Sequence, residues 1–270
     1  MVFNLVVDGI NVEFGSSRVL ENVEIAVRSG EVMAIIGPNG SGKTTLLKCI
    51  SKAITPKSGE IIVYGRPIGE YSNSEYSKRV SAMLPQWPSG FSMKSYEIVL
   101  MGCRNQTKGI WWEGDRELQI VSTALEILNA IDLYDKDFET LSSGEQRKVL
   151  LAKSLAQRTG IILLDEPVAY LDMKHKLEVM TVLRALADMG KTILVTLHEI
   201  DLALKYCDKV VILSRGRVVA AGKPKQVITS ELVSNVYGVE VAVKWDEETD
   251  YPLILPKKGQ AVKGELSCLI

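Results

Sequence analysis

GPNGSGKT, running Gly37-Pro38-Asn39-Gly40-Ser41-Gly42-Lys43-Thr44, lies between the apolar run VMAII (32–36) and the segment TTLLKCISKAI (44–54). The pattern is G-x-x-x-x-G-K-[ST], and its setting between a strand and a helix is the one its chemistry needs. Glycines let the backbone wrap closely, so that successive N–H groups converge on phosphate oxygens. Lys43 would neutralise the outer phosphates, the Thr44 hydroxyl would ligate Mg²⁺, and the helix opened by Thr44 and Thr45 would turn its positive end to the anion. A Gly-rich turn with no ligand is the plainer reading, and the flanking strand and helix count against it. The stretch therefore predicts a site for a nucleoside triphosphate with Mg²⁺.

Outward from this loop, short runs with period-two character precede it: LVVDG, INVEF and VLENVEIAV, closed by Ser29-Gly30. They predict a small antiparallel sheet leading into VMAII. Downstream come the strands GEIIVYG and RVSAMLP. From about Trp87 to Thr140 the pattern turns helical, with Leu118, Val121, Leu125 and Leu128 on one stripe. The remainder alternates: a helix from Ser142 to about Arg158, the strand IILLDEP, a helix through KLEVMTVLRALADMG, the strand KTILVTLH, the helix IDLALKYC and the strand DKVVILS. Strands alternating with helices predict an α/β fold with a mainly parallel core sheet, carrying an N-terminal antiparallel β subdomain and an inserted α-helical subdomain.

The acidic strand is the second chemical signal. In IILLDEP, Asp165 ends a buried strand at the edge where such sheets bind ligands and can hold Mg²⁺, through water. Glu166 points elsewhere and can polarise an attacking water as general base. A strand ending in two solvated acids is the bland alternative, and the neighbouring phosphate loop weighs against it.

With 270 residues, 46% apolar and 24% charged, the chain is long enough for one large globular domain or two modest ones and has none of the bias of a disordered sequence. Thirty-two basic residues against 33 acidic ones leave no global field for nucleic acid, so no nucleic-acid partner is expected. Cys49, Cys103, Cys207 and Cys268 stand far apart, with no CxxC pair, which suits reduced thiols better than zinc or disulfides. The opening MVFNLVVDGI is a poor signal peptide, and runs such as 161–164 are too short to span a bilayer, which predicts a cytoplasmic chain.

The third signal is LSSGEQRKVLLAKSLAQ, from Leu141, just upstream of the acidic strand. Ser142 supplies a hydroxyl, Gly144 permits close backbone approach, and the helix N-terminus favours anions. Glu145, three residues after Ser142, also makes a capping-box pattern. In this order and spacing the motifs resemble the ATP-binding-cassette (ABC) ATPase family. The resemblance implies that Ser142, Ser143, Gly144 and Glu145 form the signature that touches the ATP held by a second subunit. Ser143 and Glu145 stand where Gly and Gln are commonest, so Ser143 adds a side chain near the phosphate. It also implies that Phe14 stacks on adenine, that Gln86 senses γ-phosphate and metal, that Asp172 crosses the dimer interface, and that His198 contacts the γ-phosphate. His175 is read as a surface residue.

Covering essentially the whole chain, the resemblance implies a nucleotide-binding core in 1–86 and 141–236, a helical subdomain in 87–140 and a C-terminal extension in 237–270. SYEIVLMGCRN, LHEIDLALKYCD and VYGVEVAVKWDEETDYPLILP are similar to the branch that drives import of iron siderophores, haem or cobalamin. The implied assembly is a pair of these chains around two ATP molecules. It works at the cytoplasmic face of the membrane on a separate permease, with a substrate-binding protein acting through that permease. Permease contacts are expected near 86–104, with Trp87, Phe91, Tyr96 and Met101 as anchors against a competing reading of ordinary packing; Trp111 and Trp112 are read as helical core. A soluble ABC ATPase of iron–sulfur assembly, an exporter ATPase and a metabolite kinase are the alternatives. The tail after Tyr237 is open to three roles: touching the partner subunit, regulating it, or packing.

Overall fold

The computed structural model describes residues 3–84, 92–104, 114–246 and 251–257. In chain order the elements are β1 (Phe3–Phe14), β2 (Ser17–Arg28), β3 (Val32–Ile36), α1 (Lys43–Ile50), β4 (Ser58–Val63), β5 (Arg66–Pro67), α2 (Asn73–Ser77) and β6 (Val80–Met83). The helices α3 (Ser95–Cys103), α4 (Asp115–Ile127) and α5 (Ser143–Ala156) follow, then β7 (Ile161–Asp165), α6 (Met173–Asp188), β8 (Thr192–Thr196), α7 (Ile200–Tyr206) and β9 (Lys209–Ser214). The chain continues through β10 (Arg217–Gly222), α8 (Pro224–Val227), α9 (Ser230–Tyr237), β11 (Val241–Asp246) and β12 (Tyr251–Pro256).

The central sheet has the order β10-β9-β3-β8-β7-β6, parallel throughout except for the β10 edge. A parallel sheet covered on both faces needs strands that are apolar all along, and β3, β7 and β8 are buried at every position. Alternation divides their side chains between two cores. Val32, Ala34 and Ile36 face the helices α3 to α7, whereas Met33 and Ile35 face α1 and the second sheet. That second sheet, β2-β1-β4-β5, is antiparallel as expected. LVVDG and INVEF are not separate strands, however. They join in the 12-residue β1, whose register with β2 shifts between Val7 and Ile10, around Gly9 at φ +59°. The bulge keeps one strand in the sheet while re-aiming its side chains.

Helices α3 and α4 pack against α5 through Ile98, Val99, Val121 and Leu125, in the same apolar cluster as one face of the parallel sheet. Tyr96 stacks on Tyr134 with ring centroids 5.1 Å apart, and Met101 is half-buried. Tyr96 thus has the ordinary packing that competed with its reading as an anchor. Trp87, Phe91, Trp111 and Trp112 lie outside the described residues.

The sequence pattern predicts no strand after 214. The hairpin β11–β12 is hard to read because its apolar residues mix with Lys244 and Asp246. It is tied to α9 by Ser230 and Ser234, whose hydroxyls accept from the amides of Val243 (2.8 Å) and Val241 (3.1 Å). Ile254 and Trp245 pack onto the main core, so the described part of the tail packs against the rest of the chain.

Candidate nucleotide site

The site grows from the carboxyl edge of the parallel sheet. β3 delivers the chain into Gly37, which takes φ +151°. A Cβ there would lie 2.0 Å from the Leu213 carbonyl oxygen, so only glycine lets the loop pass under β9. The loop closes on itself, with the Ser41 amide donating to Pro38 O (3.2 Å) and the Leu46 amide to Gly42 O (2.9 Å). Asn39 and Gly40 are exposed at its crest, and Thr44 and Thr45 are half-buried at the start of α1.

Lys43 is the first residue of α1 and is only 6% exposed. Its ammonium donates to Gly37 O (2.8 Å) and Pro38 O (3.1 Å), inside the curl of the loop. Burial lowers its pKa, and the carboxylates of Glu166 and Asp165 act in the opposite direction. Those three charges therefore share one electrostatic neighbourhood.

The acids come from β7. Asp165 pairs in register with Thr196 of β8, and alternation turns both side chains to the face occupied by α1. Asp165 is 2% exposed; its Oδ1 accepts from Thr196 Oγ1 at 2.5 Å, while its Oδ2 is buried without a hydrogen-bond partner. Ser41 Oγ is likewise buried and unpartnered. Buried polar atoms are nearly always satisfied in folded proteins, so two such oxygens beside a phosphate loop fit a ligand rich in charge.

Glu166 takes the left-handed conformation, φ +51°, which costs about 1 kcal/mol or more for a residue with a Cβ. Its amide donates to Thr196 Oγ1 at 2.9 Å, and its carboxylate shares a 2.6 Å hydrogen bond with His198 Nε2. The two acids thus diverge, Asp165 into the core and Glu166 to the rim with His198; the sequence reading expects this from strand alternation, whereas β7 ends at Asp165 and the left-handed turn at Glu166 sets the direction.

The signature residues are built differently. Ser142 is the N-cap of α5 and accepts from the Glu145 amide (3.3 Å), while Glu145 Oε2 accepts from the Ser142 amide (2.9 Å) and hydroxyl (2.7 Å). The predicted capping box is therefore present, and its hydrogen bonds hold the Glu145 carboxyl below the usual glutamate range. Ser142 and Ser143 are exposed. Gly144 owes its identity to packing: a Cβ would sit 2.9 Å from the Tyr170 carbonyl oxygen, so within this chain the close approach it allows is to protein.

Asp172 caps α6, accepting from the His175 amide at 2.9 Å, and lies 2.8 Å from the His175 ring; the amide bond lowers its pKa. His175 is thus paired locally beside the surface. Phe14 is 53% exposed at the tip of the β1–β2 hairpin, where a ring offers a free face and not a core contact. Gln86 lies outside the described residues. Tyr237, at the end of α9, has a buried hydroxyl with no hydrogen bond; burial raises its pKa and the nearby Gly37 backbone partly offsets the rise. The sequence had marked neither Tyr237 nor Thr196 as part of the site. For Thr196 the sequence offers only that IILLD and TILVT both end on a polar residue; that the two strands are neighbours in register comes from the structure.

Beyond the geometry, the ABC transporter family model matches residues 20–169 of the chain, more than half of it. The chain belongs to the ABC transporter family. It is an ATP-binding ATPase chain of that family, and among its described residues no helix is long and apolar enough to cross a membrane. The hemin import ATP-binding protein HmuV of Rhodococcus jostii is 38% identical over 256 residues, covering 94% of this chain and 86% of that protein. The cobalamin import ATP-binding protein BtuD of Halobacterium salinarum is 33% identical over 251 residues, covering 93% of this chain and 63% of that protein. Among solved structures, a metal-chelate type ABC transporter in an inward-facing conformation shares the fold, with TM-score 0.80 and 23% identity across 95% of this chain and 98% of that one. A dimeric ATP-binding cassette bound to ADP and Pi after hydrolysis matches with TM-score 0.75 and 25% identity, over 82% of this ABC ATPase and 98% of that chain.

Proposed function

We propose that this ABC ATPase is the ATP-hydrolysing subunit of an importer, and that it powers uptake of a metal chelate of the iron-siderophore, haem or cobalamin type through a separate membrane permease. One observation carries the catalytic part: Lys43, Asp165, Glu166 and His198 converge at the carboxyl ends of three adjacent parallel strands, around two buried unpartnered oxygens. The import direction is supported by the names of its relatives, HmuV and BtuD.

The residues present suit a divalent cation beside triphosphate. Asp165 Oδ2 is a carboxylate oxygen without a partner, and Thr44 offers a hydroxyl at the head of α1. Asp165, through water, and Thr44 would hold Mg²⁺, with Gln86 expected from the resemblance. When bound, Mg²⁺ neutralises charge shared between phosphate oxygens. Everything else falls to the chain. Phe14 stacks on the base. The loop amides of Gly37 to Thr45 grip the phosphates, and Lys43 exchanges its two carbonyl partners for phosphate oxygens. Glu166 takes the proton of the attacking water, with His198 holding its carboxylate at one oxygen and adding positive character near the outer phosphate.

Ser142, Ser143, Gly144, Glu145 and Asp172 belong in this reading to the opposite face of a head-to-tail dimer, each chain completing the other's ATP site. ATP then stabilises the closed pair and hydrolysis releases it, with the permease converting the closure into transport. The core comprises 1–86 and 141–236, the helical subdomain 87–140 and the extension 237–270. The chain works at the cytoplasmic face of the membrane, and a substrate-binding protein acts through the permease.

Glu166→Gln tests both levels. The variant should bind ATP with near-parental affinity while hydrolysis falls by about 100-fold or more, leaving a trapped dimer. Used as bait in solubilised membranes of the source organism, it should retain a polytopic permease. Recovery of a soluble scaffold alone would replace the importer by an ATPase of soluble assembly, and parental hydrolysis would remove Glu166 as the base.

A further inference from the structure

The hydroxyl of Thr196 sits where both acids of the site can be reached by one atom. Thr196 is fully buried at the end of β8. The Glu166 amide can only donate, so Thr196 Oγ1 accepts from it at 2.9 Å. A carboxylate only accepts, so the Thr196 proton goes to Asp165 Oδ1, 2.5 Å away. This leaves the hydroxyl with no freedom of rotation: its donor direction and one of its lone pairs are both committed. Threonine suits the task, because branching at Cβ restricts χ1 in a strand and fixes where the oxygen lies. Two residues further on stands His198, which meets Glu166 from the other end.

Two consequences follow from these contacts. Asp165 is held by one oxygen, so its other oxygen, Oδ2, is the one left buried and unpartnered. Glu166 is held by its amide in the left-handed turn that sends its carboxylate to His198 instead of back along β7.

We propose that Thr196 is the positioning residue of the hydrolytic site: its single hydroxyl selects which Asp165 oxygen faces the Mg²⁺ position and pins the turn that aims Glu166. The proposal rests on the reading of Asp165 as metal holder and Glu166 as base. Thr196 touches neither nucleotide nor water in this scheme and acts only through the two acids. Valine, nearly the same shape, removes the hydroxyl and strands both of its partners.

The parental chain, Thr196→Ser and Thr196→Val are compared in three ways: affinity for a fluorescent ATP analogue in EDTA, the Mg²⁺ concentration that half-saturates nucleotide binding, and kcat with KM for ATP at saturating Mg²⁺. Losing a hydrogen bond that orients a metal-holding carboxylate costs about 10–100-fold in metal affinity or activity. Thr196→Val should keep metal-free affinity within about twofold, require about tenfold more Mg²⁺, and lose kcat by about 10–100-fold with KM little changed. Thr196→Ser should return each value to within about threefold of the parent. A valine chain with parental Mg²⁺ requirement and kcat overturns the proposal, and so does one whose metal-free affinity falls in step with kcat. Should the valine chain not fold, Thr196→Cys, with a comparable volume and a weak donor, takes its place under the same criteria. A parental chain that hydrolyses no ATP overturns the underlying reading, a failure visible before any variant is compared.

Discussion

The phosphate-loop side and the signature side of this molecule use the same devices, namely a helix N-terminus, a hydroxyl and a glycine, yet they are finished in opposite ways. On the first, Lys43, Asp165 and Thr196 are 6%, 2% and 0% exposed, and two oxygens are left buried without partners. On the second, Ser142 and Asp172 stand in solvent with their capping bonds already made, beside Tyr170 and Met173 at 78% and 77% exposure. The first side stores unmet hydrogen-bonding capacity in its core, where a ligand gains most by meeting it. The second has spent its local capacity and presents apolar surface. That is what the proposed dimer requires: ATP is gripped by one chain alone, and the second chain adds to a complex already formed.

The sharpest way to break this comparison is a methyl group on each side. Gly37→Ala drives a Cβ to 2.0 Å from Leu213 O in a backbone conformation that disfavours side chains. Overpacking of about 1–3 kcal/mol and a left-handed penalty of about 1–2 kcal/mol together predict ATP affinity lower by about 30-fold or more. Gly144→Ala meets Tyr170 O at 2.9 Å and disturbs only the signature helix, so ATP binding to the isolated chain should stay near the parental value. Titration with a fluorescent nucleotide separates the two, and equal losses would mean that the sides are not energetically distinct.

A smaller effect sharpens it. Ser142→Ala removes the N-cap of α5, worth about 1 kcal/mol, which corresponds to a drop of about 2–4 °C in Tm for a domain of this size. ATP binding should be untouched, while hydrolysis falls by about 10-fold through the lost contact across the dimer. Thermal unfolding and steady-state hydrolysis measured on one preparation give both numbers. A fall in Tm with parental hydrolysis would reduce Ser142 to a cap.

The unequal finish of the two sides also explains what could be read in the sequence. The strands β3, β7 and β8 were legible because strands buried on both faces carry near-continuous apolar runs. Gly37 to Thr44 and Asp165–Glu166 were legible because close backbone approach and metal chemistry admit few residue types. The capping box of Ser142 and Glu145 was legible because it is local in sequence. Thr196 was not, because its importance arises from the register of β7 against β8, and a threonine ending a strand is common. β1 was divided in two at Gly9, where a bulge breaks the period that marks a strand. The role of Gly144 was assigned to phosphate approach, whereas Tyr170 O, 26 residues downstream, already demands a glycine there.

The smallest expected effect concerns the charge in the capping box. Glu145 accepts from Ser142 twice and lies 3.8 Å from Lys136, which holds its folded pKa below the ordinary glutamate value. In the window between the folded and unfolded values the unfolded chain binds more protons, so stability rises with pH across it. The contribution is full above the ordinary glutamate value and is lost as pH falls through the lower folded one. Glu145→Gln keeps the shape and an acceptor oxygen but removes the charge at the positive end of α5. With the side chain about one-third exposed, screening leaves about 0.5 kcal/mol, a Tm lower by about 1–2 °C at pH 7. That gap should close as the pH is brought down through the carboxylate range. A gap that stays constant would show that the acid holds the signature helix through shape alone, and the cap would then be indifferent to any negative charge brought against it.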